Sequence, residues 1–174
     1  MSAQIRTASQ ADVAAMTTLA TIRREQYAQY QPLFWRPAAD AQDKHRPHLA
    51  SLIANDEVIC LVSEEAGQLT GFLIATLVPA PPVYDPGGLT CQIDDFAVIT
   101  VSSWPTTGVQ LLRAGLAQAA RRGAVQAVVV TGHLDQAKRQ ALRASGLDIA
   151  SEWWVRPLPL AQDQHQDPAN HSAT

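Results

Sequence analysis

Apolar positions along this chain recur at two different spacings, and the changes between them divide it into elements. Residues 3–8 read as a short first strand. Ser9 and Asp12 then form a Ser-x-x-Asp helix start, a capping-box pattern with Asp in place of Glu or Gln. Val13, Met16, Leu19 and Ile22 follow at three-residue spacing and predict one apolar helical face running to about Tyr27. A second helix is expected over 46–55, with Pro47 in its first turn, where a missing N–H costs nothing. Residues 57–64 and 69–77 are strand-like runs joined at Gly67, which predicts a hairpin. The stretch 78–88 holds four prolines and two glycines and is therefore neither a central strand nor a helix.

The stretch 92–112 organises the rest. Ile93, Phe96, Val98, Ile99 and Val101 read as a strand. Ser102 to Thr107 form a polar loop, and Gly108, Leu111 and Leu112 open a helix expected over 107–122. A strand feeding a helix N-terminus through small residues makes an anion site, because the first N–H groups of the helix lack partners and its dipole favours negative charge. Gly123 stops that helix. The continuous apolar run 124–131 predicts a central strand buried on both faces. Asp135 caps a last helix ending near Ser145, with Gly146 as its stop, and 147–158 reads as a final strand carrying Trp153 and Trp154. From residue 161 on, no large apolar residue occurs, and 161–174 is expected to be a disordered polar tail on a single domain spanning 1–160. The order β-α-α-β-β-β-α-β-α-β implies an α/β fold around a mixed sheet.

Composition narrows the function classes. A net charge of −3 gives no electrostatic basis for nucleic-acid binding. No apolar run reaches membrane-spanning length and no hydrophobic signal region opens the chain, so a cytoplasmic protein without a membrane partner is expected. Cys60 and Cys91 sit in strand-like runs and read as buried thiols. His45 and His48 are three residues apart, but no third His or Cys supports them, and no metal site is assigned.

Tyr27, Tyr30, Phe34 and Trp35 crowd the end of the first helix. They form either a hydrophobic cluster pinning a loop or an aromatic wall of a substrate pocket.

This order, with the residues around 96–112, resembles the GNAT superfamily of acyl-CoA N-acyltransferases over residues 5–155. Phe96-Ala97-Val98 takes the place of the family's Leu-Ala-Val-like triplet. Ser103, Thr106 and Gly108 occupy the three signature positions of its Arg/Gln-x-x-Gly-x-Gly/Ala loop, and Leu111 and Leu112 match its Leu-Leu pair. Further on, Asp135, Lys138 and Leu142 stand where the family shows Asn, Ala and Tyr, ahead of Gly146-Leu147.

The resemblance implies a three-layer fold, with helices on both faces of a mixed sheet and with splayed fourth and fifth strands. It implies acetyl-CoA as co-substrate. The pantetheine arm would pair near Phe96, Ala97 and Val98. The pyrophosphate would lie on the N–H groups from Ser103 to Val109, with Thr106 and Thr107 hydroxyls as added donors and Asp135 nearby. The acceptor would be a primary amine of a small molecule or peptide. Asp94 and Asp95 are the candidate bases. Strand alternation puts Asp94, the favoured one, on the side of Gln92, Phe96 and Val98, unless a bulge breaks the parity. Leu142 cannot protonate the departing thiolate, which leaves Tyr84, His133 or water. An acidic pocket would suit polyamines or aminoglycosides, whereas Arg23, Arg24 or Arg36 at its mouth would suit a carboxylate-bearing amine. A homodimer would cover the sheet edge. The substitutions at Ser103, Thr106 and Leu142 motivate a second reading, a non-catalytic acyl-CoA-binding module.

Overall fold

A computed structural model describes residues 3–158; the tail expected over 161–174 lies outside them. The elements are β1 (Gln4–Thr7), α1 (Val13–Tyr30), α2 (Ala41–Ile53), β2 (Ile59–Glu65), β3 (Gln68–Val78), β4 (Leu89–Val98), α3 (Val109–Arg121), β5 (Ala124–Val129) and α4 (Gln136–Ala144). The five strands form one sheet in the order β1-β2-β3-β4-β5. The first four pair antiparallel, and β4 and β5 pair parallel.

Alternation along the strands builds two cores. Ile59, Leu61, Leu73 and Ala75 face Leu111, Leu112 and Ala119 of α3 and Ala141 and Leu142 of α4. Their neighbours Cys60, Val62, Phe72 and Ile74 face Val13, Met16 and Leu19 of α1 and Leu49 of α2. This is the expected three-layer α/β, GNAT-like arrangement, with one helix pair on each face. Both cysteines are free and buried, as their strand context predicted.

The first helix starts as its sequence suggests. The Asp12 carboxylate accepts from the Ser9 N–H (2.7 Å) and the Ser9 hydroxyl (2.8 Å). It also receives both Nη atoms of Arg6, and Arg6 in turn holds Glu64 of β2. The helix stops at Gly123 and Gly146 are confirmed by φ values of +90° and +83°, which glycine adopts without the penalty a Cβ brings.

Four expectations need correction. The second helix begins at Ala41, a turn before the predicted start, so Pro47 lies inside it. The opening turn is held instead by the Lys44 N–H on the Asp40 carbonyl (3.1 Å) and by a Lys44–Asp40 ion pair. The fourth strand ends at Val98; Ile99 and Val101 are exposed, and Val101 opens a 3-10 turn.

Residues 124–129 do not form a strand buried on both faces. Among the described residues β5 is the last strand of the sheet, and Val125 (54% exposed) and Val128 (47%) meet solvent. Residues 147–158 do not form a strand. Strand propensity reports fit to a ladder, and this segment pairs with none. Trp153 (82% exposed) and Trp154 (90%) therefore stand outside both cores, with Trp153 stacked edge-on against Phe34 at 5.9 Å.

Candidate functional site

The site is built where β4 leaves β5. Their parallel register runs from Leu89 opposite Ala124 to Ile93 opposite Val129, and the Val130 N–H closes it on the Ile93 carbonyl (3.0 Å). Beyond that point β4 continues beside β3 alone. A bulge falls at the same place: Phe96 pairs Leu73 while Ile93 pairs Ala75, so three steps on β4 face two on β3. The extra residue breaks the alternation. Ile93 and Phe96 point into the same core although they are an odd number apart. Asp95 turns toward α1 and α2, and Asp94, expected to share a side with Phe96, is exposed.

Two basic side chains converge on the bulge. Arg23 of α1 donates to the carbonyls of Asp94 (3.0 Å) and Phe96 (3.1 Å) through one Nη atom. Its guanidinium also lies over the Tyr27 ring. Lys138 of α4 enters the splay from the other face, wholly buried, and its ammonium donates to the carbonyls of Val130 (2.9 Å) and Phe96 (3.3 Å). It lies 5.1 Å from the Phe96 ring centre and 5.3 Å from that of Trp104. Burial lowers the Lys138 pKa well below its ordinary value, and Arg23 lowers it further against the opposing charges of Asp135, Asp94 and Asp95.

Asp135 caps α4 as expected, accepting the Lys138 N–H (3.2 Å), and it also accepts the Tyr27 hydroxyl (3.0 Å). Asp135 is buried, so its carboxylate serves the junction of α1 and α4. Burial, helped by Asp135, pushes the Tyr27 phenol up to about 12.

On the α1–α2 side, Asp95 pairs with His45 Nε2 at 3.1 Å. Arg24 approaches His45 Nδ1 at 3.3 to 3.4 Å. A guanidinium only donates, so Nδ1 is the acceptor and the Nε2–H points to Asp95. Burial raises the Asp95 carboxyl pKa, but the His45 hydrogen bond and the charge of Arg23 outweigh it, and the net shift is downward. Asp95 therefore stays ionised with a fixed orientation. In the sequence His45 stood out only through its three-residue spacing from His48, as a metal pair that no third ligand supports; only the bulge brings Asp95 to it. Among the described residues no group of three or more His, Cys, Asp or Glu is arranged to hold a metal.

Asp95, His45, Arg23 and Arg24 line a cleft of about 260 Å³, closed on its other side by Tyr27, Phe34 and Trp35. The aromatic crowd of 27–35 is thus both a cluster and a wall: Trp35 packs edge-on against Tyr27 (5.1 Å) and Phe34 (4.8 Å). Tyr30 sits beside Tyr27 and is bonded to Gln26, without lining the cleft.

The β4–α3 connection is a 3-10 turn (Val101–Ser103) followed by a π-helical turn (Trp104–Gly108). The Ser103 N–H is taken by the Thr100 carbonyl (3.0 Å), and the Thr106 hydroxyl by the Ser103 carbonyl (3.3 Å). Thr107 is buried and Val109 half-buried. Trp104 is buried edge-on against Phe96 (4.9 Å). A Cβ at Gly108 would lie 2.5 Å from the Trp104 ring, so the glycine there makes room for the indole. Ala97 and Val98 pair with Phe72 and Gly71 of β3.

The remaining candidates are not gathered into the site. Tyr84 is exposed in the loop entering β4 at Leu89, the end away from the splay, and His133 is exposed ahead of α4, where its carbonyl accepts from Arg139.

No protein-family model and no curated protein matches the chain. Solved structures do share its fold. One is a predicted acetyltransferase with acetyl-CoA from Clostridium acetobutylicum, 16% identical, with a TM-score of 0.70 over 89% of this chain and 96% of that one. A GCN5-related N-acetyltransferase from Ralstonia eutropha is 19% identical, with a TM-score of 0.66 over 90% and 98%. An aminoglycoside acetyltransferase from an uncultured soil metagenomic sample, in complex with sisomicin, is 16% identical, with a TM-score of 0.60 over 90% and 97%.

Proposed function

We propose that this protein is an acetyl-CoA-dependent N-acetyltransferase acting on a primary amine of a small molecule or peptide. The observation that carries the reading is the Phe96 carbonyl. It lies at the parting of two parallel strands, with the splay on one side and the Asp95–His45 cleft on the other. In the reaction the amine nitrogen forms a bond to the acetyl carbon as the carbon–sulfur bond breaks. The amine must lose a proton, and CoA leaves as thiolate and takes one up. Asp95 is ionised and held by His45, which suits it to accept the amine proton directly or through one water. Arg23 fixes the bulge by holding the two carbonyls that flank Asp95, those of Asp94 and Phe96.

Acetyl-CoA fits the residues present on one condition. Lys138 fills the splay and holds Phe96 O, so the arm of the co-substrate enters only when that ammonium withdraws. A lysine with a lowered pKa on a flexible stem is suited to this. Gly108 to Val109, Thr106 and the start of α3 are then the proposed seat for the pyrophosphate. No helix among the described residues is long and apolar enough to cross a membrane. The edge of β5, unpaired among the described residues, and the exposed Trp153–Trp154 segment favour a homodimer.

Lys138 also favours a second reading, a GNAT-like module whose splay stays closed and which does not turn over. Released thiol, measured with acetyl-CoA and a panel of amines, separates the two. Amine-dependent thiol release supports the transferase; binding of acetyl-CoA without release supports the module.

A further inference from the structure

The charge on the cleft points to the kind of amine it takes. Three guanidinium groups, from Arg23, Arg24 and Arg36, line it against one carboxylate, Asp95. Arg23 is committed to the carbonyls of Asp94 and Phe96, and Arg24 to His45. Among the described residues none of the three arginines forms an ion pair with a carboxylate. The positive excess is therefore not neutralised within the cleft.

Asp95 and Arg36 differ in exposure. Asp95 lies at the inner end, on the bulge of β4. Arg36 lies at the mouth, exposed in the loop that joins α1 to α2. Phe34 and Trp35 line the same cleft and offer an apolar surface beside both charges.

We propose that the cleft selects an acceptor carrying both an amine and a carboxylate on an apolar or aromatic body, an amino-acid-like zwitterion. Its ammonium faces Asp95 and is delivered beside Phe96. Its carboxylate pairs with the Arg36 guanidinium, whose planar fork matches a carboxylate. Polyamines and aminoglycosides bring several positive charges to a cleft that already has an excess of them, and are disfavoured. A volume of about 260 Å³ holds one molecule of amino-acid size. The inference rests on the acetyl-transfer reading for what happens to the amine, but the recognition itself is testable without acetyl-CoA.

The test is calorimetric titration of the full chain with L-phenylalanine, with 2-phenylethylamine, which differs only in lacking the carboxylate, and with spermidine. L-phenylalanine is expected to bind at least tenfold more tightly than either amine. Arg36→Ala, a change at an exposed loop position, is expected to remove that preference while leaving 2-phenylethylamine affinity unchanged. Equal or tighter binding of 2-phenylethylamine or spermidine overturns the inference, as does no binding of L-phenylalanine. Thiol release with the same three amines separates the two readings. Binding of L-phenylalanine without acetylation keeps the zwitterion site and removes the transferase. Acetylation of spermidine alone keeps the transferase and removes the zwitterion site.

Discussion

Arg23 and Lys138 donate to the same atom, the carbonyl oxygen of Phe96, from opposite faces of the sheet (3.1 and 3.3 Å). Two cationic groups on one acceptor are held there by a bulge that aims the carbonyl away from the β3 ladder. Their mutual repulsion, after burial, helps to depress the Lys138 pKa. The pair divides the site into an acceptor side, reached by Arg23, and a splay, closed by Lys138.

Removing the Lys138 side chain should open the splay. Lys138→Ala is expected to bind acetyl-CoA about tenfold more tightly than the parent, corresponding to about 1.4 kcal/mol. Titration calorimetry of the two proteins measures this directly. Weaker binding in the variant would mean that the ammonium holds the co-substrate instead of excluding it.

Asp95→Asn keeps the shape of the side chain and removes the base. It should lower kcat by about 10²-fold or more with KM for acetyl-CoA little changed, since general-base catalysis supplies an effect of that size. Asp94→Asn should change kcat less than twofold, because Asp94 is exposed and does not line the cleft. The acidic limb of the parent pH–rate profile should lie below the ordinary carboxylate range, as the downward net shift of Asp95 requires. A larger effect at Asp94 than at Asp95 would reverse the assignment.

Gly108 and Trp104 form one packing unit. Gly108→Ala forces a methyl into the indole face and should cost about 1–3 kcal/mol in urea unfolding. In the background of Trp104→Leu, whose side chain leaves that space, the same alanine should cost less than half as much. Additive losses would show that the glycine serves something other than the indole. The larger Gly108→Trp, which in a bare loop would only fill the anion cradle, should here prevent the native packing.

Much of this fold is written in local patterns. The three-residue spacing from Val13 to Leu19, the stops at Gly123 and Gly146 and the capping residue Asp135 each act through neighbours in sequence and were found where expected, whereas Ile22, which the same spacing puts on the apolar face, is 49% exposed one turn beyond the core. Pairing is different. Residues 147–158 carry strand-forming side chains but no ladder, and the apolar run 124–131 says nothing about whether a further strand covers its edge. The site was legible in part. The aromatic group 27–35 and the Asp94–Asp95 pair were visible, but one extra residue on β4 decided which carboxylate faces His45. Lys138 gave no signal, because a lysine in the first turn of a helix usually points to water; its burial comes from the parting of two strands distant in sequence.

The Arg6–Asp12–Glu64 cluster ties the first helix to β2 and should be seen in acid. Arg6 is the main cause that draws the Asp12 carboxyl down to about 2, with Ser9 assisting against burial. A depressed folded-state pKa contributes stability that is complete above the ordinary carboxylate value near 3.8 and is lost as pH falls toward 2. With Arg6 partly exposed, solvent screening brings the expected contribution to about 1–2 kcal/mol. Asp12→Asn should therefore destabilise by about that amount at pH 7 and by almost nothing at pH 2, in urea unfolding at the two pH values. A pH-independent difference would assign the loss to capping geometry instead of charge.

The most direct test of the central claim is titration calorimetry of the unmodified protein with acetyl-CoA, with free CoA and NAD run alongside. Saturable binding of one acetyl-CoA per chain in the micromolar range, matched by CoA and absent for NAD, is the predicted result. No heat at millimolar acetyl-CoA would contradict it and leave Lys138 as a permanent closure of the splay.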